Sequence, residues 1–184
     1  MKTLTEIIKK TGHTDKDSTH NYCWVYDYWF NPLRDNKMNI LEVGVAAFGG
    51  GDLLAMVSYF PNATIYGVDI NMSPCLEQVF KHPRIKLIEC DAYNPNILKY
   101  FKDIQFQIIL DDGSHEIFDQ INLFKMLSPY LTDTGFYTIE DCCTNHWLSK
   151  LPVIWELGFK HTLIDQTTKN HYDSTLIRFD KCSQ

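Results

Sequence analysis

The chain has 184 residues, of which 45% are hydrophobic and 22% charged, a balance that excludes intrinsic disorder and fibrous repeats. Its formal net charge is −6, without the clustered Lys and Arg of a nucleic-acid-binding face. No segment approaches the roughly 18 consecutive apolar residues of a membrane span, and residues 1–10 lack the apolar run of a signal peptide. We therefore expect a cytoplasmic, single-domain protein with no nucleic-acid or membrane partner.

Short apolar runs alternate with helical patterns from Asn39 to the C-terminus. The predicted strands cover residues 39–45, 64–69, 85–90, 106–110 and 135–139, followed by an antiparallel pair at 160–165 and 174–179. The predicted helices cover residues 53–60, 73–81, 95–101, 116–129 and 146–157, and Asp52 is the expected N-cap of the first. Strands that alternate with crossover helices imply a parallel sheet covered on both faces. We predict a Rossmann-like doubly wound α/β domain over residues 39–184, mostly parallel, preceded by a helical arm over residues 1–38.

All five central strands of this predicted sheet end at acidic residues. These are Glu42, Asp69, Asp91, Asp111 with Asp112, and Glu140 with Asp141. In doubly wound sheets the ligand lies beyond the carboxyl ends of the strands. Acidic residues are common in the turns at strand ends, but this preference does not explain why all five strands end at one. We therefore expect these residues to line a binding site.

A glycine-rich turn joins the first strand to the first helix of the domain. Gly44 ends the strand and the glycines at 49–51 open the helix, where glycine lets the backbone approach a ligand closely. Asp69 lies 18 residues beyond this run, near the distance at which an acid meets ribose hydroxyls in nucleotide-binding folds. The glycines alone fit a simple tight turn equally well. Together with Asp69 and Asp91 at the ends of the next two strands, the glycines favour a nucleoside site.

Residues 41–44 with the glycine cluster, 65–69 and 89–92 resemble, in order and spacing, the first three motifs of class I S-adenosylmethionine-dependent methyltransferases. The resemblance implies that Asp69 holds both ribose hydroxyls and that Asp91 contacts the adenine. It also implies that Glu42 and the glycines flank the methionine part of the cofactor. The glycine usual four residues beyond Gly44 is Phe48 here, and the glycines come one position later.

Three carboxylates are expected to meet at the ends of the fourth and fifth strands. Adjacent strands lie roughly 4.8 Å apart, which brings Asp112, Glu140 and Asp141 together if these strands are neighbours. Carboxylates this close repel one another unless a cation lies among them, and hard oxygen ligands favour Mg²⁺, with Mn²⁺ and Ca²⁺ as alternatives. Cys142 and Cys143 follow directly, but adjacent side chains diverge and rarely chelate one ion together, which argues against zinc.

His115 lies three residues after Asp112, at the start of the predicted helix over 116–129. An imidazole can take a proton from a hydroxyl at neutral pH. A lone histidine beside a turn is more often a cap or a solvated side chain. The neighbouring acids favour a general base.

The Asp-Gly-Ser-His element at 112–115, with Tyr-x-Ile-Glu-Asp at 137–141 and Trp147 downstream, resembles a narrower family. These are the metal-dependent sugar O-methyltransferases that modify deoxysugars of macrolide antibiotics and other glycans. The resemblance implies Mg²⁺ bound by the same three carboxylates and the same histidine as base. His146 stands where the family usually has tyrosine before the tryptophan.

The arm also resembles the stretch that precedes the sheet in these relatives, with Thr14-Asp15-Lys16, His20-Asn21-Tyr22 and Tyr26. Folded over the cofactor, the arm would place Lys16 or Tyr22 near the cofactor carboxylate, whereas a solvated helical cap explains the same residues equally well. The predicted cofactor contacts are Lys16, Tyr22, Glu42, Gly44, Gly49, Gly50, Asp69, Ile70, Asp91, Ala92 and Asp111.

These features favour Mg²⁺-assisted transfer of the methyl group of S-adenosylmethionine to a hydroxyl of a sugar-containing acceptor. Two alternatives stay open. A catechol or phenol O-methyltransferase uses a similar acid cluster, with Trp147 and Tyr137 stacked on the ring, although its more acidic hydroxyl has less need of His115. A cofactor-binding module without catalysis would fit the shortness of the chain. We instead expect that a second subunit of a homo-oligomer, or a large acceptor, completes the site of this short chain.

Overall fold

The computed structural model describes residues 2–167 and 171–182, which form one seven-stranded sheet with flanking helices. The strands are β1 (Asn39–Val43), β2 (Thr64–Asp69), β3 (Ile85–Glu89), β4 (Phe106–Asp111), β5 (Leu131–Ile139), β6 (Phe159–Asp165) and β7 (Thr175–Lys181). Their order across the sheet is β3-β2-β1-β4-β5-β7-β6. Strands β1 to β5 pair in parallel, while β7 is antiparallel to both β5 and β6. The predicted doubly wound fold with an antiparallel end is confirmed.

The strand order creates a switch point between β1 and β4, because β2 and β3 lie on one side of β1 while β4 and β5 lie on the other. In open α/β sheets the crevice at such a point receives the ligand. The register aligns Val43 with Asp111 and Asp111 with Ile139, so the acids that follow β4 and β5 reach the same edge of the sheet.

The described helices are α1 (Leu4–Thr11), α2 (Cys23–Phe30), α3 (Gly51–Tyr59), α4 (Glu77–Lys81), α5 (Ile117–Leu127), α6 (Thr144–Leu148) and α7 (Leu151–Glu156). The segment Pro95–Tyr100 forms 3₁₀ turns where we predicted a helix over 95–101. Across residues 2–167 and 171–182, no helix has the length and apolar character needed to cross a membrane.

Two predicted helices are wrong in their extent. The helix predicted over 73–81 begins only at Glu77, because the preceding segment turns and the Met72 amide donates to the Glu89 carboxylate at 2.9 Å. The helix predicted over 146–157 is divided into α6 and α7. Pro152 lies in the first turn of α7, where its missing amide hydrogen is tolerated but a continuous helix is not.

Strand β5 begins at Leu131, whereas we predicted a start at Gly135. The residues between them have the composition of a turn, and their pairing with β4 is irregular between Phe106 and Ile108. The side-chain amide of Gln107 donates to the Thr134 carbonyl oxygen at 2.7 Å and helps to hold the first residues of β5 in place. The alternation of burial that reveals a strand in sequence is absent from these first residues, which explains the error.

The arm packs into the main core rather than lying on the surface. Ile7 of α1 and Phe30 of α2 belong to the same buried cluster as Ile40 of β1 and Leu53 of α3. A second cluster on the opposite face of the sheet includes Phe124 of α5. Residues of the arm are therefore held by the sheet, and the division of the chain at residue 38 stays a prediction.

Candidate active site

Strands β1 and β4 meet at their carboxyl ends in a contact that requires glycine. Gly44 follows β1 with φ 87°, and a Cβ placed on it would lie 1.9 Å from the Asp112 carbonyl oxygen. The Asp112 amide donates to the Val43 carbonyl oxygen at 3.0 Å. The first of the predicted metal ligands is thus fixed directly against the glycine-rich turn.

A cleft of about 340 Å³ opens beyond the ends of β1, β2 and β3. The structure brings five of the predicted cofactor contacts to its walls: Gly44, Asp69, Ile70, Asp91 and Ala92. The Asp69 carboxylate accepts hydrogen bonds from two backbone amides, Ala46 at 2.8 Å and Asn71 at 3.0 Å. A carboxylate oriented in this way at the end of the second strand suits the hydroxyls of a ribose.

Tyr93, which the sequence did not single out, forms another part of the cleft wall. Its hydroxyl accepts a hydrogen bond from the Ser114 amide at 2.6 Å and donates to Asp111 Oδ1 at 3.5 Å. Asp111 is fully buried and also accepts from the Tyr137 hydroxyl at 3.4 Å. The structure therefore places Asp111 beneath the cleft, behind Tyr93, and burial raises its pKa to about 7.

Replacing Asp111 with asparagine is expected to flatten the pH dependence of the free energy of unfolding. The folded wild-type protein keeps the Asp111 proton up to about pH 7, while the unfolded chain loses it near the ordinary pKa of 3.8. The stabilising contribution is therefore full below pH 3.8 and is lost as the pH rises to about 7. A pKa difference of about 3 corresponds to at most about 4 kcal/mol. Urea unfolding at about pH 5 and about pH 8 measures this loss.

The exposed Asp103→Asn variant is the matched control for this measurement. It is expected to keep the pH dependence of the wild-type protein, since its carboxylate is solvated in both states. An Asp111→Asn variant with the same pH dependence as this control would contradict a buried, protonated Asp111.

Gly49 and Gly50 shape the start of α3. Gly50 is the N-cap of α3 with φ 76°, and a Cβ on it would meet Val79 of α4 at 3.0 Å. These two predicted cofactor contacts therefore pack toward α4. The prediction that Asp52 caps α3 is wrong, because Asp52 lies within the first turn and its carboxylate faces Lys16.

The Lys16 ammonium lies among four carboxylates at the strand ends. Its Nζ donates to Asp112 Oδ2 at 2.7 Å and to Glu140 Oε2 at 2.8 Å, and it lies 3.6 Å from Glu42 Oε1 and 3.8 Å from Asp52 Oδ2. Lys16 is only 2% exposed, so it lies beneath the site rather than on the wall of the cleft. Burial alone would lower its pKa, but Asp112 and Glu140 hold that pKa well above its ordinary value.

Four carboxyl groups face one ammonium in this cluster, so acidic groups outnumber basic ones. Burial raises the pKa of Glu42 and of Glu140 well above their ordinary values, and the neighbouring carboxylates add to both effects. In the part of the chain that the structure describes, the buried oxygens Glu42 Oε2 and Asp52 Oδ1 receive no hydrogen bond. Buried, unpaired carboxylate oxygens of this kind favour a further cation nearby.

Two tyrosines of the arm contact the acids that follow β5. The Tyr22 hydroxyl donates to Asp141 Oδ1 at 2.7 Å, and the Tyr26 hydroxyl donates to Glu140 Oε1 at 2.6 Å. His20 Nδ1 lies 3.3 Å from the same Asp141 oxygen. Tyr22, which we predicted near the cofactor carboxylate, thus contacts a predicted metal ligand.

A second pocket, of about 180 Å³, adjoins the cleft and shares Gly44 and Asp69 with it. Ligand atoms of Asp112, His115 and Asp141 all lie within 4.8 Å of one another at this pocket. His115 and Asp141 have φ of 58° and 51°, a left-handed conformation that residues other than glycine adopt rarely and often at functional sites. The backbone is therefore strained where the two side chains converge.

The predicted metal ligands fit a hard divalent cation such as Mg²⁺. Asp112 and Asp141 share the second pocket, and Glu140 adjoins Asp112 through Lys16, although both Glu140 oxygens already accept hydrogen bonds. The excess of carboxyl groups over basic groups supports the same conclusion. Cys142 is buried and Cys143 exposed, so the adjacent thiols diverge as predicted.

No protein-family model matches the chain, but individual proteins do. The 8-demethyl-8-alpha-L-rhamnosyl tetracenomycin-C 2'-O-methyltransferase of Streptomyces olivaceus is 32% identical over 141 residues, which are 73% of this chain and 36% of that protein. The mycinamicin VI 2''-O-methyltransferase of Micromonospora griseorubida is 33% identical over 129 residues, which are 66% of this chain and 31% of that protein. The chain thus spans about a third of the length of these curated relatives.

Among solved structures, the chain is similar to the MycE methyltransferase from the mycinamycin biosynthetic pathway in complex with Mg, SAH and mycinamycin VI. The TM-score is 0.78 at 24% identity, and the match covers 98% of this chain and 55% of that chain. Coverage this complete includes the arm as well as the sheet. The fold predicted from the three motifs, that of the class I methyltransferases, is confirmed.

Proposed function

We propose that this chain, which has the class I methyltransferase fold and is similar in sequence to rhamnosyl tetracenomycin and mycinamicin O-methyltransferases, transfers the methyl group of S-adenosylmethionine to a hydroxyl of a sugar-containing acceptor. The observation that carries this proposal is the junction of the cleft with the acid-lined pocket at Gly44 and Asp69. The cleft holds the methyl donor and the pocket holds the acceptor, so the methyl group passes across the junction.

The cleft suits the nucleoside of the cofactor. Asp69, whose carboxylate accepts hydrogen bonds from two backbone amides, would bind the ribose hydroxyls, and Asp91, one strand further along the cleft, would contact the adenine. Ala92 and Tyr93 add apolar surface for the base. The sulfonium of the cofactor is cationic, so the acids at the strand ends attract it.

The second pocket suits an acceptor hydroxyl. Asp112, Glu140 and Asp141 would hold Mg²⁺, which, when bound, orients the hydroxyl and stabilises the negative charge that develops on its oxygen. His115 is exposed and lines this pocket, where it would accept the hydroxyl proton. Phe48, which is 45% exposed on the wall of the pocket, offers an apolar face to a sugar ring.

The transfer is a displacement at the methyl carbon. The acceptor oxygen forms a bond to that carbon while the carbon–sulfur bond breaks and its electron pair stays on sulfur. The hydroxyl proton goes to the His115 imidazole, and S-adenosylhomocysteine is released. Because the oxygen must be aligned with the methyl group at about 3 Å, positioning by the two pockets supplies much of the rate.

A second subunit or the acceptor itself would complete the acceptor side. The pocket of about 180 Å³ is smaller than the several hundred Å³ typical of sites that enclose a whole ligand. We therefore infer that a homo-oligomer, or a large glycosylated acceptor, covers the pocket in the cytoplasm, where the cofactor is made. A light-scattering mass of one chain with full activity would exclude the subunit as the cover.

Calorimetric titration of S-adenosylhomocysteine, in Mg²⁺ and again in EDTA, tests the donor half. We expect affinity on the order of micromolar for the wild-type protein. Asp69→Ala is expected to weaken it by about 10- to 100-fold, because charge-assisted hydrogen bonds to the ribose are lost. The exposed Glu77→Gln variant is the control and is expected to bind as the wild type does. Absence of binding to the wild-type protein in both buffers would exclude the proposal.

Transfer of a labelled methyl group from S-adenosylmethionine tests the acceptor half. We expect label on a rhamnoside and none on a vicinal aromatic diol. The reverse result would favour a catechol-type enzyme. Binding of S-adenosylhomocysteine without transfer to either class of acceptor would favour a module without catalysis.

A further inference from the structure

Helix α2 presents two buried hydroxyls to two consecutive acids. Tyr22, the N-cap of α2, and Tyr26 are four residues apart, so they lie on one face of the helix. Their hydroxyls donate to Asp141 and Glu140 at 2.7 and 2.6 Å, and the two tyrosines are 0% and 1% exposed. Contacts this short, between groups 119 and 114 residues apart in sequence, join the arm to the end of β5.

Two separate donors are needed because consecutive residues at a strand end point in different directions. Glu140 extends from β5 toward Lys16, whereas Asp141 has left the strand with φ 51° and faces the second pocket. The spacing of the tyrosines along one helix face matches the separation of the two acids.

Each tyrosine hydroxyl holds one oxygen of the carboxylate to which it donates. This contact restricts rotation of the carboxylate and so sets the position of its second oxygen. Tyr22 and His20 both contact Asp141 Oδ1, so Oδ2 is the oxygen of this pocket-lining residue that is without these two contacts. Tyr26 holds Glu140 Oε1 while Lys16 holds Oε2. Removing the Tyr26 hydroxyl would leave Glu140 Oε1 buried without its donor, and removing the Tyr22 hydroxyl would leave Asp141 Oδ1 with only its contact to His20.

We propose that Tyr22 and Tyr26 are positioning residues that orient Asp141 and Glu140 for the divalent cation, so that docking of the arm and binding of the cation are thermodynamically linked. This inference rests on the proposed function, because it takes these acids as cation ligands. Groups that orient metal ligands typically change metal affinity by 10- to 100-fold when they are removed. A divalent cation should in turn hold the arm more firmly against β5.

The test compares Tyr22→Phe and Tyr26→Phe with Tyr28→Phe, whose tyrosine lies on the same helix but is 77% exposed. Titration with Mn²⁺, followed by electron paramagnetic resonance of the free ion, gives the metal affinity directly. We expect each of the first two variants to bind Mn²⁺ about 10-fold more weakly, with the control unchanged. Affinity for S-adenosylhomocysteine should stay within about two-fold, since the cleft is untouched.

In steady-state assays the loss should appear as a higher Mg²⁺ concentration for half-maximal rate, with kcat largely recovered at saturating Mg²⁺. Equal Mn²⁺ affinity in all three variants would overturn the inference. Failure of the wild-type protein to bind both S-adenosylhomocysteine and Mn²⁺ would instead overturn the proposed function. If both variants fail to fold, limited proteolysis of the wild-type protein with and without Mg²⁺ tests the linkage between arm docking and cation binding. We expect Mg²⁺ to slow cleavage within residues 12–22, and an unchanged cleavage rate would overturn that linkage.

Discussion

Replacing Lys16 with methionine is expected to lower the free energy of unfolding by about 3–5 kcal/mol at neutral pH. Methionine keeps most of the length of the side chain but removes the ammonium that lies 2.7 and 2.8 Å from Asp112 and Glu140. The carboxylates would then face one another in a buried site with no opposing charge. Because the total stability of a domain is about 5–15 kcal/mol, this loss is a large fraction of it. Urea unfolding at neutral pH measures the loss.

The loss should shrink as the pH falls. The pKa values of Glu42, Asp52 and Glu140 are already raised, chiefly by burial, and without the ammonium they rise further. An acid with a raised pKa in the folded state destabilises the fold as the pH rises, so protonation at lower pH relieves the repulsion. The variant should therefore recover part of its stability at about pH 5 relative to about pH 8.

The control for Lys16 is Lys9→Met, which removes an exposed ammonium 3.8 Å from Asp17. Exposed ion pairs contribute about 0–1 kcal/mol, so this variant should stay within that range. A Lys16 variant no less stable than the Lys9 variant would show that the acids at the strand ends are neutral or hydrated in the folded protein.

Replacing Asp112 with asparagine is expected to reduce kcat/KM by a factor on the order of 10³ and to abolish the heat of Mg²⁺ binding. Asparagine has nearly the same shape as aspartate, but it removes the carboxylate that contacts Lys16 and lies close to His115 and Asp141. S-adenosylhomocysteine should still bind within about three-fold, because the main chain that contacts Gly44 is unchanged. Calorimetry and a methyl-transfer assay measure the two effects separately.

Fold stability should be nearly unaffected by Asp112→Asn, since the substitution removes one of four carboxyl groups that face a single ammonium. Asp133→Asn, at a fully exposed carboxylate, is the matched control. Full Mg²⁺ heat with full activity in the Asp112 variant would exclude this residue as a ligand of the cation.

Much of the fold follows from local sequence patterns. Alternating apolar runs and helical patterns define the parallel strands, and the rule that ligands lie beyond the carboxyl ends of such strands selects the acids. The cleft indeed contains Asp69 and Asp91, and the ends of β4 and β5 bring Asp112 and Glu140 to one ammonium. These placements rest on backbone periodicity, which a single sequence displays directly, while the roles of the acids toward a cofactor and a cation stay predictions.

The errors at the site arise mostly from contacts between distant parts of the chain and in one case from local backbone conformation. Lys16 and Glu140 are 124 residues apart, and nothing in the local sequence shows that an arm lysine is buried among carboxylates. Asp52 has the composition of an N-cap, yet Gly50 takes that position because the chain enters α3 in a left-handed conformation. Tyr93 follows a strand as any turn residue would, and only the tertiary fold brings it to Ser114.

The contact between Gly44 and Asp112 joins the cleft to the second pocket through main chain alone. A substitution that moved this contact would disturb the cleft and the pocket together, so the shape of the cleft and the position of Asp112 cannot change independently there. Phe48 belongs to the same turn but is half-exposed and makes part of the outer wall. For the proposed function, a change of acceptor range can therefore start at Phe48 while the contact between Gly44 and Asp112 stays fixed.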